Sequence, residues 1–253
     1  MKINETFDLL RKKNEMALIV CLTAGFPTLE KSMEYLQLVS ESGADMIEIG
    51  IPFSDPIADG PTIQYASHNA LKNGVTLTSI LEELKKIKLS VPLILMSYFN
   101  PLLAYGNMKL SNDLEEAGIN GIIVPDLPVE ETSEWISHSG ISIIFLVAPT
   151  STESRIRLVA EKSDSFLYCV SIAGTTGTRE KLSPDLIPFV KKIKKITDKP
   201  VAVGFGISTP QHISALRRQA EGVIVGSRVI EAVKRGEDLA ALVEQLKAAT
   251  KEN

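Results

Sequence analysis

Glu48 has the strongest claim to chemistry in this sequence. It stands near the end of the apolar run Met46–Gly50, where an ionised carboxylate is costly to bury without a partner or a task. The segment that follows, Ile49-Gly50-Ile51-Pro52-Phe53-Ser54-Asp55-Pro56-Ile57-Ala58-Asp59-Gly60-Pro61, can bring Asp59 back over the same strand end. Two carboxylates in different surroundings can have separated pKa values and take distinct acid–base roles. The plainer alternative is a salt-bridged structural glutamate. The proline- and aspartate-rich loop after Glu48 favours the functional reading.

Glycine-rich turns form a second constellation. Val203-Gly204-Phe205-Gly206-Ile207-Ser208 follows one apolar run, and Val225-Gly226-Ser227-Arg228 follows the next. Glycines let backbone N–H groups approach an anion, and a helix opening near Ser227 would aim more of them at it. Gly174-Thr175-Thr176-Gly177 could add a third wall and a flap. Singly these read as ordinary turn glycines; at consecutive strands they read as a phosphate site. The chemistry excluded is equally informative. No lysine stands at a strand end, which argues against a Schiff-base aldolase. His68, His138 and His212 fall in helical stretches, so no metal site is expected.

The elements that must position these groups are apolar runs alternating with amphipathic stretches. The runs are Leu18–Thr23, Met46–Gly50, Leu93–Tyr98, Gly121–Pro125, Ser142–Val147, Phe166–Ser171, Val201–Gly204 and Gly222–Val225. They lack strict alternation, as expected of parallel strands buried on both faces. Helical periodicity covers Leu29–Ser42 and Thr78–Lys88, with further helix starts expected at Ser111, Ser133, Thr152 and Ser183-Pro184. Their strand ends deliver Thr23, Glu48, Tyr98, Asn100, Asp126, Pro149, Ser171, Gly206 and Gly226-Ser227. A doubly wound sheet would share this alternation. Even spacing over 253 residues favours a single (β/α)8 TIM barrel of the phosphate-binding type, residues 1–253, with an extra N-terminal helix over Asn4–Lys13.

Composition adds limits. A net charge of −4 argues against a nucleic-acid binder working through a basic surface, and Lys191, Lys192, Lys194 and Lys195 read as one wet helix face. Cys21 and Cys169 sit inside apolar runs and read as buried free thiols. The opening Met1-Lys2-Ile3-Asn4-Glu5 does not resemble a targeting peptide, and no apolar run approaches membrane-spanning length. The expected location is cytoplasmic.

The residues Glu48 through Gln64, Asp126-Leu127-Pro128, Ser171-Ile172-Ala173-Gly174-Thr175-Thr176-Gly177 and Gly204-Phe205-Gly206-Ile207-Ser208 closely resemble the tryptophan synthase alpha family. The resemblance runs in order along nearly the whole chain, and Pro-Phe-Ser-Asp-Pro-x-Ala-Asp-Gly-Pro is its most specific block. It implies cleavage of indole-3-glycerol phosphate to indole and glyceraldehyde 3-phosphate, without metal or organic cofactor in this chain. Glu48 would be the general acid–base group and Asp59 would accept the indole N–H. Gly177, Gly206, Gly226 and Ser227 would hold phosphate. Tyr168, Phe205, Tyr98 and Met96 would border the indole slot, each with a core-packing alternative, and Thr176 would lie in a closing flap.

The resemblance further implies a beta subunit carrying pyridoxal phosphate, an α2β2 assembly and an internal passage for indole. The Ile51–Pro61 loop and Asn100–Tyr105 are the expected contact surface. Two residues depart from the family's habit: Ile172, where arginine is frequent, and Cys21, where a bulkier apolar residue can line the pocket. A free-standing lyase, or a barrel acting mainly as an activator of the beta subunit, would share these motifs.

Overall fold

The computed structural model describes residues 2–132, 141–171 and 182–251, apart from the side chains of Asn107 and Met108. Its strands are β1 (Ala17–Thr23), β2 (Met46–Gly50), β3 (Leu93–Met96), β4 (Ile119–Ile123), β5 (Ser142–Ile144), β6 (Leu146–Val147), β7 (Leu167–Val170), β8 (Val201–Gly204) and β9 (Gly222–Val225). All pair in parallel, in the order β5-β4-β3-β2-β1-β9-β8-β7-β6. The two edge strands, β5 and β6, are separated by Phe145 alone, so both edges belong to one stretch of chain. The Phe145 carbonyl accepts from the Tyr168 N–H at 3.0 Å and continues the ladder across the break. The sheet therefore closes as an eight-stranded barrel whose fifth strand is interrupted. The expected run Ser142–Val147 is right in place, but not continuous.

Around it lie α1 (Ile3–Lys12), α2 (Leu29–Glu41), α3 (Pro61–Lys72), α4 (Leu77–Leu84), α5 (Phe99–Tyr105), α6 (Asn107–Glu116), α7 (Glu153–Lys162), α8 (Leu186–Lys194), α9 (Pro210–Leu216), α10 (Ser227–Arg235) and α11 (Leu239–Ala248). Several local expectations need correction. Ser111 lies within α6 rather than at its start, because Gly106 (φ +93°) breaks the chain earlier and α6 begins directly after it. Ser183-Pro184 forms a turn before α8: the Leu186 N–H bonds to the Ser183 carbonyl at 3.1 Å, and the helix starts only after Asp185. The Thr78–Lys88 helix stops at Leu84, where i→i−3 bonds from Lys86 and Ile87 tighten the chain into turns. Ser133 and His138 lie outside the described residues. Thr152 caps α7, its hydroxyl accepting from the Arg155 N–H at 3.2 Å.

Two apolar shells hold the barrel. The outer one packs strand residues such as Leu18, Val20, Ile47 and Ile49 against helix residues such as Leu36, Val39, Val243 and Leu246. The inner one fills the barrel with Ala17, Ile19, Met46, Ile94, Ile123, Ile144, Phe166, Ala202 and Ile224. From below, α1 inserts Ile3, Phe7 and Leu10, with the Phe7 and Phe166 rings 5.5 Å apart. Burying Phe7 alone contributes roughly 1.5–3 kcal/mol. The inner core thus seals the bottom and leaves the upper mouth, at the strands' C-terminal ends, for a site. Among the described residues, no helix is long and apolar enough to cross a membrane.

The plug also explains a glycine inside a strand. A Cβ on Gly121 would come within 2.7 Å of Ile3 Cδ1 and 3.0 Å of Ile144 Cδ1. Gly121→Val is expected to cost about 1–3 kcal/mol by overpacking in urea denaturation. Combining it with Ile3→Ala should recover part of that loss. An equal cost in both backgrounds would show that the α1 plug is not what Gly121 accommodates.

Candidate active site

Alternation along β2 puts Glu48 on the inner wall above Met46, one step higher than the packed core. It is 1% exposed, and its Oε2 has no hydrogen-bond partner among the described residues. The chain then leaves the barrel and returns. Ile51 N–H bonds to the Met96 carbonyl at 2.8 Å, and the Phe53 ring stacks on Tyr98 with centroids 5.1 Å apart. Ala58 N–H donates to the Tyr98 hydroxyl oxygen at 3.0 Å. The Gln64 side-chain amide donates to the Asp59 carbonyl at 2.7 Å, and Pro61 opens α3 at a first-turn position. These anchors hold Asp59 buried at the mouth, where the Tyr98 hydroxyl bonds to its carboxylate.

The electrostatics follow from burial without a counter-ion. Desolvation pushes Glu48 up to about 7, offset by a hydrogen bond from the Cys21 thiol and reinforced by the Asp59 charge. Burial likewise raises Asp59 to about 6, with the Tyr98 hydrogen bond opposing. No lysine or arginine is among the described residues lining the cavity. A carboxyl group near neutrality can both give and take a proton, which suits acid–base work.

Opposite the carboxylates lies the glycine-rich wall. Phe205 (φ +64°) and Gly206 (φ +83°) are both left-handed, turning the chain sharply after β8. The Ser171 hydroxyl donates to the Phe205 carbonyl and fixes that turn. After β9, Gly226 leads into α10, whose N-terminus has no side-chain cap. The first-turn N–H groups from Ser227 onward have no intrahelical partner and suit an anion. A Cβ on Gly226 would lie 3.3 Å from Cys21 Cβ and 3.8 Å from Ile63 Cδ1, so the close approach favours glycine.

Nine of the residues expected from sequence line one cavity, open at its mouth: Glu48, Asp59, Met96, Tyr98, Tyr168, Phe205, Gly206, Gly226 and Ser227. Thr176, Gly177 and Ile172 lie outside the described residues. Tyr98 does more than border a slot, since its hydroxyl organises Asp59 and the loop. Asp126 is structural, accepting the Phe99 N–H at 2.9 Å where α5 begins. His212 is buried, and its Nδ1 accepts from the Ser208 N–H at 3.4 Å. The sequence reading misses Ile63 and Ser67 of α3, and Ile224 of β9, as cavity walls. Pro61 was a signal for α3, but its facing side shows only in three dimensions. Among the described residues no group of three or more metal-ligating side chains occurs.

Comparisons with known proteins agree with this geometry. The sequence model of the family described as "Tryptophan synthase alpha chain" matches residues 7–253. The alpha chain of Solibacter usitatus is 45% identical, with 99% of this chain and 96% of the relative aligned. A solved structure from Aquifex aeolicus superposes with a TM-score of 0.91 at 39% identity, covering 100% of both chains. Mycobacterium tuberculosis tryptophan synthase gives a TM-score of 0.91 at 36% identity, covering 99% of this chain and 98% of that one.

The raised carboxyl groups set a pH dependence of stability. A folded-state value above the unfolded one means the folded protein holds the proton more tightly. The stabilisation is full below the unfolded value of 4.5 and is lost as pH rises through about 7. Glu48→Gln removes that loss, so relative to wild type the variant should gain on the order of 3 kcal/mol between pH 4.5 and pH 8. Urea denaturation of both proteins at the two pH values measures it. A difference independent of pH would mean that Glu48 titrates normally.

Proposed function

The chain belongs to the tryptophan synthase alpha family, and from that premise we propose that it cleaves indole-3-glycerol phosphate to indole and glyceraldehyde 3-phosphate by a retro-aldol reaction. The observation that carries the reading is Glu48: a buried carboxyl near neutrality, one oxygen without a partner among the described residues, in a cavity bounded opposite by glycine-rich backbone. The backbone at Gly206 and Gly226, with Ser227 at the α10 N-terminus, holds the phosphate. Tyr168, Phe205, Tyr98 and Met96 enclose the indole ring.

The bond that breaks joins indole C3 to the glycerol side chain. Indole carbon leaves poorly until protonated, so Glu48 delivers a proton to C3 and takes one from the C3′ hydroxyl, which becomes the aldehyde. The indole ring carries positive charge as C3 is protonated. Asp59, ionised above about pH 6, accepts the indole N–H and stabilises that charge. The reaction needs no metal or organic cofactor in this chain.

The family implies a beta partner. We infer an α2β2 assembly in which the beta subunit carries pyridoxal phosphate and receives indole through an internal passage. The candidate docking surface is the segment 51–61 with α5. There Ile57 is 72% and Leu103 53% exposed, beside the loop that holds Asp59.

Indole release by the purified chain, with and without a beta subunit, tests the reading. Weak activity alone and strong stimulation by the partner are expected. Glu48→Gln should lower kcat about 10²–10⁴-fold. Full activity alone would instead indicate a free-standing lyase, and a folded chain inactive in both conditions would refute the proposal. Wild-type activity should also fall as pH drops below about 6, where Asp59 takes up a proton. A rate flat from pH 7 to pH 5 would exclude that role.

A further inference from the structure

Asp59 and the Gly226-Ser227 pair line one cavity from either side of β1. In the sheet β1 separates β2, which leads to Asp59, from β9, which leads to Gly226, so no strand ladder joins the two directly. Each group is instead carried by a helix. Gln64, in the first turn of α3, grips the Asp59 carbonyl at 2.7 Å, and the Ile230 N–H of α10 bonds to the Gly226 carbonyl at 3.0 Å. Both helices pack on β1 and on each other. Three contacts line their seam. The Thr62 hydroxyl donates to Glu231 Oε1 at 3.1 Å, while Arg235 lies 3.6 Å from the other oxygen. The Lys234 ammonium stands 4.0 Å from the centre of the Tyr65 ring. A Cβ on Gly226 would be 3.8 Å from Ile63 Cδ1. Thr62 comes shortly after Asp59, and Glu231 about one helical turn after Ser227.

We propose that the Thr62–Glu231 bond determines specificity for ligand length: by bracing α3 against α10 it sets the span between Asp59 and the anion wall. That span fixes the length of linker the site accepts between an indole ring and a phosphate. The role rests on the indole-3-glycerol phosphate reading above, in which a three-carbon chain joins the ring to the phosphate ester. The described cavity wall includes neither Thr62 nor Glu231, so both are positioning residues. A hydroxyl-to-carboxylate bond is charge-assisted and directional. With its side chain 22% exposed, Glu231 is partly shielded from solvent screening.

The test is calorimetric titration of the full chain with ω-(indol-3-yl)alkyl phosphates of two, three and four methylenes, which lack the hydroxyl needed for cleavage. Indole and inorganic phosphate are titrated singly beside them. Wild type should favour the three-methylene ligand. Thr62→Val and Glu231→Ala should each reduce that preference about three- to tenfold, the worth of one hydrogen bond, and leave the affinities for indole and phosphate unchanged. The double variant should lose no more than the worse single one, and Thr62→Ser should keep the preference. Urea midpoints confirm that each variant is folded. Equal weakening at all three lengths, a matching loss for free phosphate or indole, or additive losses would overturn the proposal. So would a wild type indifferent to length. A wild type that discriminates lengths through the brace but does not cleave indole-3-glycerol phosphate would refute the reaction and leave the brace standing. A cleaving wild type whose variants keep the full preference would do the reverse.

Discussion

A carboxylate on the inner wall of a closed barrel, with no cation beside it among the described residues, is the constraint around which this molecule is arranged. Glu48 stands one layer above a dry core of Ile, Met, Ala and Phe side chains. In most proteins such a group would be paired or replaced, because the charged form is expensive to desolvate. Here the cost is retained as a raised pKa, and the surrounding structure supplies the stability that tolerates it. The α1 plug below and the helix shell outside bury enough apolar surface to leave the mouth free for polar groups that packing alone would not choose.

The same constraint accounts for the effort spent on Asp59. A carboxylate at the end of a flexible loop would drift into solvent and lose its raised pKa. Stacking of Phe53 on Tyr98, the Ala58 N–H on the Tyr98 hydroxyl and the Gln64 amide on the Asp59 carbonyl remove that freedom. Two carboxyl groups near neutrality then face one cavity from different elements. The opposite wall offers backbone N–H groups around Gly206, Gly226 and Ser227, so anionic and aromatic parts of a ligand have separate places to go.

Exposed apolar residues sit on the segments that hold the site together. Ile57 belongs to the loop carrying Asp59, and Leu103 to the helix that starts beside Tyr98. Covering them with a partner would press on the loop whose anchors set the position of Asp59. A contact there has a direct mechanical route to the chemistry, through hydrogen bonds already in place.

Much of this was legible in the residues themselves. Apolar runs with the composition of doubly buried parallel strands mark nearly every barrel strand, because burial on both faces leaves a pattern in the run itself. Glu48 stands out because it violates that pattern, and the glycines because backbone approach leaves no alternative. What the chain's linear order could not supply was register and facing. The break at Phe145, the tight turn that delays α8 and the part α3 plays in the cavity wall all depend on how elements meet. So does the pairing of Cys21 with Glu48: residues far apart in sequence become neighbours only when β1 and β2 align, and a shift of one residue would turn either side chain to the other face. Residue type determined which chemistry was available; tertiary packing decided which groups share a wall, since distance and desolvation move a pKa away from the value that identity sets.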